Sequence, residues 1–430
     1  MSSLQERDRN AVWHPFTQYQ NAQPLIPVAR AEGALLFSGD GKTYIDAISS
    51  WWVNVHGHAH PYIAEKIAAQ AKILEQVIFA GFTHEPAVRL AERVLELLGP
   101  GFAKVFFSDD GSTSVEVALK MALQYWHNLD MPRKKIATFE NAYHGDTFGA
   151  MAVGARGTFN RPFESLLFDV ITIPVPVRGK ENDSISALQR VLADDDVAAF
   201  IFEPLVQGAA GMVMYDEETL QELIRICAEK NVLTIADEVM TGFGRTGKMF
   251  ATVSRDDEFD LRPDIICLSK GLTGGFLPMG LTVCTQEIFD AFISGDQQKT
   301  FFHGHSYTAN PLACAAANAS LDLFEKLETR ENVFRISRRN TDFLEKNRNH
   351  PALADLRCCG TILAAEFKTG SETSYFNDLS VKAYAFFLEK GILLRPLGNI
   401  VYLMPPYCIT EEQHEETLAA MEEFMNVIHR

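Results

Sequence analysis

Cationic residues are scarce in this chain: 39 Lys and Arg stand against 56 Asp and Glu, a formal charge of -17. Phosphate backbones and anionic bilayers are held by a local excess of Lys and Arg, so neither nucleic acid nor a membrane is expected as a partner. A small anion, which a few focused groups can hold, is not excluded. No apolar run reaches the roughly 20 residues that a membrane-spanning helix needs. The seven cysteines, at 227, 267, 284, 314, 358, 359 and 408, follow no metal or disulfide spacing. Their odd number suits reduced thiols, the adjacent Cys358 and Cys359 included. The opening MSSLQERDRN has no apolar core of the secretory kind, so a soluble, cytoplasmic protein is expected. Nucleotide-loop signatures are missing too. There is no G-x-x-x-x-G-K-[ST], and GFGRTG at 242–247 lacks the G-x-G-x-x-G spacing, which weakens a dehydrogenase reading. His56, His58 and His60 are spaced like a metal tract, but no compact set of further ligands accompanies them; no metal is expected.

What the chain does have is apolar material, 47% over 430 residues, enough for two domains. Helical 3–4 spacing marks PYIAEKIAAQAKILEQV, HEPAVRLAERVLELL, SVEVALKMALQYW and EETLQELIRICAEK. Between and after them stand the apolar runs KVFFS, KKIATFE, VAAFIFEP, VLTIADE and PDIICLS, without polar alternation. Unalternating runs spaced by helices imply a mainly parallel sheet covered on both faces, an α/β architecture. Residues 51–320 are expected to form this large domain. Segments 1–50 and 321–430, which read as short strands and helices, are expected to form a smaller α+β domain. The stretch from Asn310 to His350 reads as one long helical region.

Two of the apolar runs end in charge. Asp237 closes NVLTIAD and Lys270 follows PDIICLS. An acid and an amine at the ends of buried strands are costly unless something uses them, and a pyridine cofactor uses both: the amine takes an aldehyde, the acid a protonated ring nitrogen. That pairing points to pyridoxal 5'-phosphate. Gly271-Leu272-Thr273-Gly274-Gly275 after Lys270 is flexible, and a desolvated amine there is available as nucleophile and proton carrier. Strand alternation puts Asp237 and its neighbour Glu238 on opposite sides, so only one faces the ring; periodicity does not say which. Ser108–Thr113 (SDDGST), between a strand and a helix, offers glycine, hydroxyls and free helix N–H groups to an anion, or simply caps the helix. Tyr143, in NAYHGD, could stack on a flat ring, and core packing is the default for Trp52. Arg395 ends the run GILLR, where its fork suits a carboxylate or a structural ion pair.

Taken together, IADEVMTGFGRTGKMF, the Lys270 context and NPLACAAANAS resemble the class III, or ornithine/omega-amino-acid type, aminotransferases of pyridoxal-phosphate fold type I. The likeness runs nearly the whole chain. WHPF, SSWWVNVHGHAHP, MALQYW, NAYHGDTFGAMAV and LLRPLGNIVYLMPPY narrow it to the subgroup serving biotin synthesis. The resemblance implies that Lys270 holds the cofactor aldehyde and Asp237 its ring nitrogen. Gly111 and Ser112 would hold the phosphate, with Ser306 reaching it from the second subunit of a homodimer. Tyr143 and Val239 would pack the two ring faces, with Glu203 and Gln207 beside the ring and Gln207 near its phenolic oxygen. Phe16, Trp51, Trp52, Tyr143, Gly304, Arg395 and Tyr402 would line the substrate site, Arg395 meeting the carboxylate of 8-amino-7-oxononanoate. S-adenosylmethionine is the donor implied by resemblance; the residues themselves leave lysine, or another omega-amino acid or diamine reaction, open. Two positions depart from the subgroup's usual pattern: Phe16 stands where Tyr is common, and HGHS at 303–306 replaces H-G-P-T.

Overall fold

The computed structural model describes residues 3–157, 159–253, 262–370, 373 and 377–429. Its centre is a seven-stranded sheet in the order Phe102–Ser108, Gly280–Thr285, Ile265–Leu268, Leu233–Asp237, Val197–Phe202, Lys135–Phe139, Ile171–Ile173. Only Gly280–Thr285 runs antiparallel to its neighbours; the other pairings are parallel. Every residue of Val197–Phe202, Leu233–Asp237 and Ile265–Leu268 is buried, as continuous apolar runs require when helices cover both faces. Gly111–Asn128 packs on this sheet through a nearly continuous buried stripe from Val115 to Trp126. Asp110 caps its start in a reciprocal box with Thr113. The strand Gly280–Thr285 has no counterpart in the pattern reading: GLTVCT is a six-residue run separated by only four residues from the glycine-rich segment 271–275.

Three smaller sheets accompany this one, the smallest the antiparallel pair Val206–Gln207 and Val213–Met214. Val28–Glu32, Leu35–Ser38, Thr43–Asp46 and Ile392–Leu393 form the first, so a strand from late in the chain pairs in parallel with one from its beginning. Leu353–Cys359, Ile362–Phe367 and Ile400–Leu403 form the second, antiparallel throughout. The expected long helical stretch is two helices, Pro311–Phe324 and Leu327–Asn347. Extended backbone at Lys326 separates them (ψ 137°), and the Leu323 carbonyl at the end of the first helix accepts both the Lys326 N–H at 3.2 Å and the Thr329 hydroxyl at 2.7 Å. The polar N-terminal arm carries the helix Leu4–Ala11, whose Glu6 N–H is accepted by Ser3. Among the described residues no helix is long and apolar enough to cross a membrane.

Candidate active site

The parallel strands deliver their chemistry at one edge. In the sheet Asp237 lies level with Cys267, three residues before Lys270, so both charges emerge at the carboxyl ends of neighbouring strands. Open parallel sheets bind ligands in the crevice beyond that edge. Here the crevice is a cavity of about 790 Å³ lined by both residues. Asp237 is nearly sealed; its Oδ2 lies 2.7 Å from His144 Nδ1 and its Oδ1 accepts the Val239 N–H at 3.1 Å. Glu238, on the opposite side, is outside this cavity. Its carboxyl gathers the Thr241 and Thr252 hydroxyls and the Ala251 and Thr252 amides. Of the two acids, the geometry therefore gives Asp237 to the cavity and Glu238 to the loop that follows.

Lys270 adopts left-handed backbone (φ 45°) at the start of the turn Lys270–Thr273. A non-glycine residue holds such an angle only where its surroundings over-determine it. Its Nζ stands 4.8 Å over the Trp52 ring. Burial pushes the ammonium below the usual lysine range, with the Asp237 and Glu203 charges pulling part of the way back. Glu203 is buried as well, and desolvation raises it to about 7, although its oxygens accept the Tyr143 and Gly208 amides at 3.1 and 2.9 Å. The native chain thus keeps this proton up to about pH 7, whereas the unfolded chain releases it near the ordinary value of 4.5. Between those values the native state binds more protons, so the contribution of Glu203 is present below about 4.5 and lost through about 7. In the cofactor-free protein, Glu203→Gln should therefore gain melting temperature relative to wild type as pH rises from 5 to 8. A difference that stays flat with pH would contradict this.

The end of the cavity at Gly111 and Ser112 is built by close approach. Gly111 opens the helix after the Phe102–Ser108 strand, and a Cβ there would lie 2.6 Å from Val239 Cγ1, so only glycine lets the helix start pack against that side chain. Gly145 (φ 130°) lies so close to Ser112 that any side chain would collide with it. The Ser112 hydroxyl accepts the Asp146 N–H at 3.3 Å. Tyr143, from the same loop, lines the cavity, and burial raises its phenol above the ordinary range.

The far wall is aromatic. Trp51 meets Phe16 edge-on at 5.6 Å, Phe16 meets Phe159 at 6.1 Å, and the Arg395 guanidinium lies 4.6 Å over the Trp51 ring. Trp52 Nε1 donates to the Tyr402 hydroxyl at 2.9 Å. Among the described residues no carboxylate pairs with Arg395, which leaves its fork to the cavity.

The sequence profile of the family described as "Aminotransferase class-III" matches residues 17–425. The chain belongs to the class-III aminotransferases. This aminotransferase is 50% identical to the adenosylmethionine-8-amino-7-oxononanoate aminotransferase of Synechococcus elongatus, over 97% of this chain and 99% of that protein. It is 38% identical to the enzyme of the same name from Geobacter sulfurreducens, over 99% and 98%. A solved structure of that name from Methanocaldococcus jannaschii superposes with TM-score 0.92 at 36% identity, covering 98% of both chains. A pyridoxal-phosphate-bound amine transaminase from an uncultivated Pseudomonas species superposes with TM-score 0.89 at 30% identity, over 96% and 97%.

The enzyme is a pyridoxal-phosphate-dependent aminotransferase, and its cavity fits that cofactor. Asp237 and Lys270 face one space; the helix opened by Gly111 and Ser112 borders it. The buried His144 Nε2, on the cavity wall, is without a protein partner among the described residues, as expected beside a polar ligand. Three of the expected site residues stand apart from the cavity in their own chain. Gln207 is fully buried, its amide donating to the Glu140 carbonyl at 3.0 Å. Gly304 and Ser306 lie exposed on the segment before the helix Pro311–Phe324. Sequence reasoning passed over His144, although it directly follows Tyr143; no periodicity marks a histidine that reaches across to another strand. It also left Arg245 as part of a failed nucleotide motif. That side chain is fully buried and donates to the Pro405 and Trp52 carbonyls at 2.9 and 3.2 Å, tying the late chain to the cavity wall. His305 puts its Nδ1 3.3 Å from Asp109, in the loop that precedes Gly111.

Proposed function

We propose that this aminotransferase converts 8-amino-7-oxononanoate to 7,8-diaminononanoate in biotin synthesis, taking the amino group from S-adenosylmethionine. The observation that carries the reading is the distance-spanning layout of one cavity: amine and acid at the sheet edge, a guanidinium free to take a carboxylate at the aromatic end. Pyridoxal phosphate, when bound, supplies the carbonyl that receives the amino group and the ring that accepts the electron pair left by a departing proton. Asp237 would hold the ring nitrogen, with His144 fixing the acid. Gly111 and Ser112 would take the phosphate, Tyr143 and Val239 the two ring faces, and Glu203 and Gln207 the flank. The Lys270 amine, kept below the ordinary lysine range by burial, would lift the proton from the reacting carbon and return it on the other side of the transfer. Phe16, Trp51, Trp52 and Tyr402 would exclude water from the chain of the keto acid while Arg395 fixes its carboxylate. The exposed Gly304 and Ser306 fit a homodimer in which each chain completes the other's site. The cytoplasm is the expected compartment. The pairing of Ile392–Leu393 with Thr43–Asp46 supports a small domain drawn from residues 1–50 and 321–430 around a large one at 51–320.

Steady-state turnover of 8-amino-7-oxononanoate against pyruvate and 2-oxoglutarate tests the acceptor. A preference for either short acid would replace this reading with that of a general omega-transaminase. Single half-reactions with S-adenosylmethionine and with lysine decide the donor. Arg395→Ala is expected to raise KM for the amino-oxononanoate about 10- to 100-fold, since hydrogen bonds to charged groups are worth about 1.5–3 kcal/mol, and to leave cofactor content unchanged. Equal loss of cofactor would make Arg395 a structural residue.

A further inference from the structure

Asp46 ends the strand Thr43–Asp46 and is fully buried outside the cavity. Its Oδ1 accepts the Ile48 N–H at 3.2 Å; its Oδ2 accepts the Ser50 hydroxyl at 3.0 Å and lies 2.8 Å from His58 Nε2. These bonds close around the turn Ser49–Trp52, in which Ser49, Ser50 and Trp52 all take left-handed backbone (φ 51°, 59° and 70°). Side chains rarely sit there, and such a run persists only when partners impose it. The same strand end is tied to the rest of the substrate wall. Asp46 pairs with Leu393, two residues before Arg395. The Ala47 N–H donates to the Leu393 carbonyl at 3.2 Å, and the Ala47 carbonyl accepts the Met404 N–H at 2.8 Å. Ser49 Oγ donates back to the Met404 carbonyl at 2.9 Å.

We propose that Asp46, held by His58, is a positioning residue that imposes the strained turn presenting Trp51 and Trp52 and sets their alignment with Arg395, so that it governs how the enzyme accommodates a long-chain acid. The pair touches neither the cofactor pocket nor the reacting atoms. It rests on the role proposed above for Arg395, and its effect falls more on binding of the acid than on proton transfer.

A crystal structure of the Asp46→Asn holoenzyme reads the turn directly. It should show Ser49–Trp52 rearranged and the Trp51–Arg395 stacking lost. An unaltered turn overturns the proposal whatever the substrate is. In kinetics, Asp46→Asn should raise KM for 8-amino-7-oxononanoate at least about tenfold, the lower end of the loss for a displaced hydrogen bond to a charged group, while kcat falls by a clearly smaller factor, through the contact of Trp52 with Lys270, and cofactor content stays that of wild type. A matching fall in kcat, or an unchanged KM, overturns it. His58→Ala should act in the same direction, and His58→Gln, which keeps a donor for Asp46, should recover most of the loss; failure of the glutamine to rescue also counts against the pair. Should Asp46→Asn not fold, the two His58 variants carry both measurements. A wild-type enzyme that does not aminate this acid would refute the proposed function, and the crystal structure would still judge the positioning.

Discussion

Lys270→Ala is expected to lower turnover by at least about 10⁴-fold, because it removes the proposed nucleophile and proton carrier at once. No other described lysine lines the cavity, so nothing can stand in for the amine. Tyr143 faces the same space, but burial holds its phenol above the ordinary range, which makes it a poor base near neutral pH. Glu203 has its oxygens engaged by two backbone amides. The loss should be chemical rather than structural. Lys270 sits in a strained conformation (φ 45°), and a small residue there gives up little packing beyond the contact with Trp52. The variant should accordingly melt near wild type and retain cofactor through the anion loop. Borohydride treatment separates the roles: native holoenzyme should carry the cofactor's mass on the peptide containing Lys270, and the alanine variant on none. A label appearing elsewhere, or turnover within tenfold of wild type, would sink the assignment.

How much of the site is legible in the amino-acid sequence depends on whether its signal is local. Asp237 and Lys270 are visible because each interrupts the end of an unalternating apolar run, and a charge there has few neutral explanations. The parallel sheet follows from the same runs. Choosing Asp237 over Glu238 is beyond periodicity, since alternation gives two sides without saying which faces the ligand; family resemblance chooses, and the contacts of Glu238 with Thr241, Ala251 and Thr252 supply the physical reason. Contacts across the chain are not legible at all. His144 reaches Asp237 over 93 positions, and Arg245 reaches Pro405 over 160; neither leaves a spacing to read. The antiparallel Gly280–Thr285 escapes the pattern for a related reason. A short strand inserted between two parallel ones is specified by its neighbours more than by its own six residues.

Asp237→Asn is expected to cost about 10²–10³ in the rate of each half-reaction, the scale for removing one preorganised charge from a water-excluded site. The substitution is nearly isosteric. The amide oxygen can still accept the Val239 N–H that Oδ1 now accepts at 3.1 Å, and Gly111 and Ser112 are untouched, so cofactor content should hold. What is lost is the negative charge between His144 and the cavity, without which a ring nitrogen there has no group to keep its proton and the electron pair has less reason to move into the ring. His144→Ala should fall on the same step but by less, because the imidazole acts through Asp237 at 2.7 Å. Glu238→Gln provides the contrast. Its carboxyl serves four donors of the following loop, so it should lower the melting temperature while the folded fraction keeps near-native half-reaction rates. Stopped-flow rates normalised to cofactor content, measured for all three variants, test the division of labour. A rate deficit in Glu238→Gln as large as that in Asp237→Asn would mean that the two acids cannot be separated into one for chemistry and one for the loop.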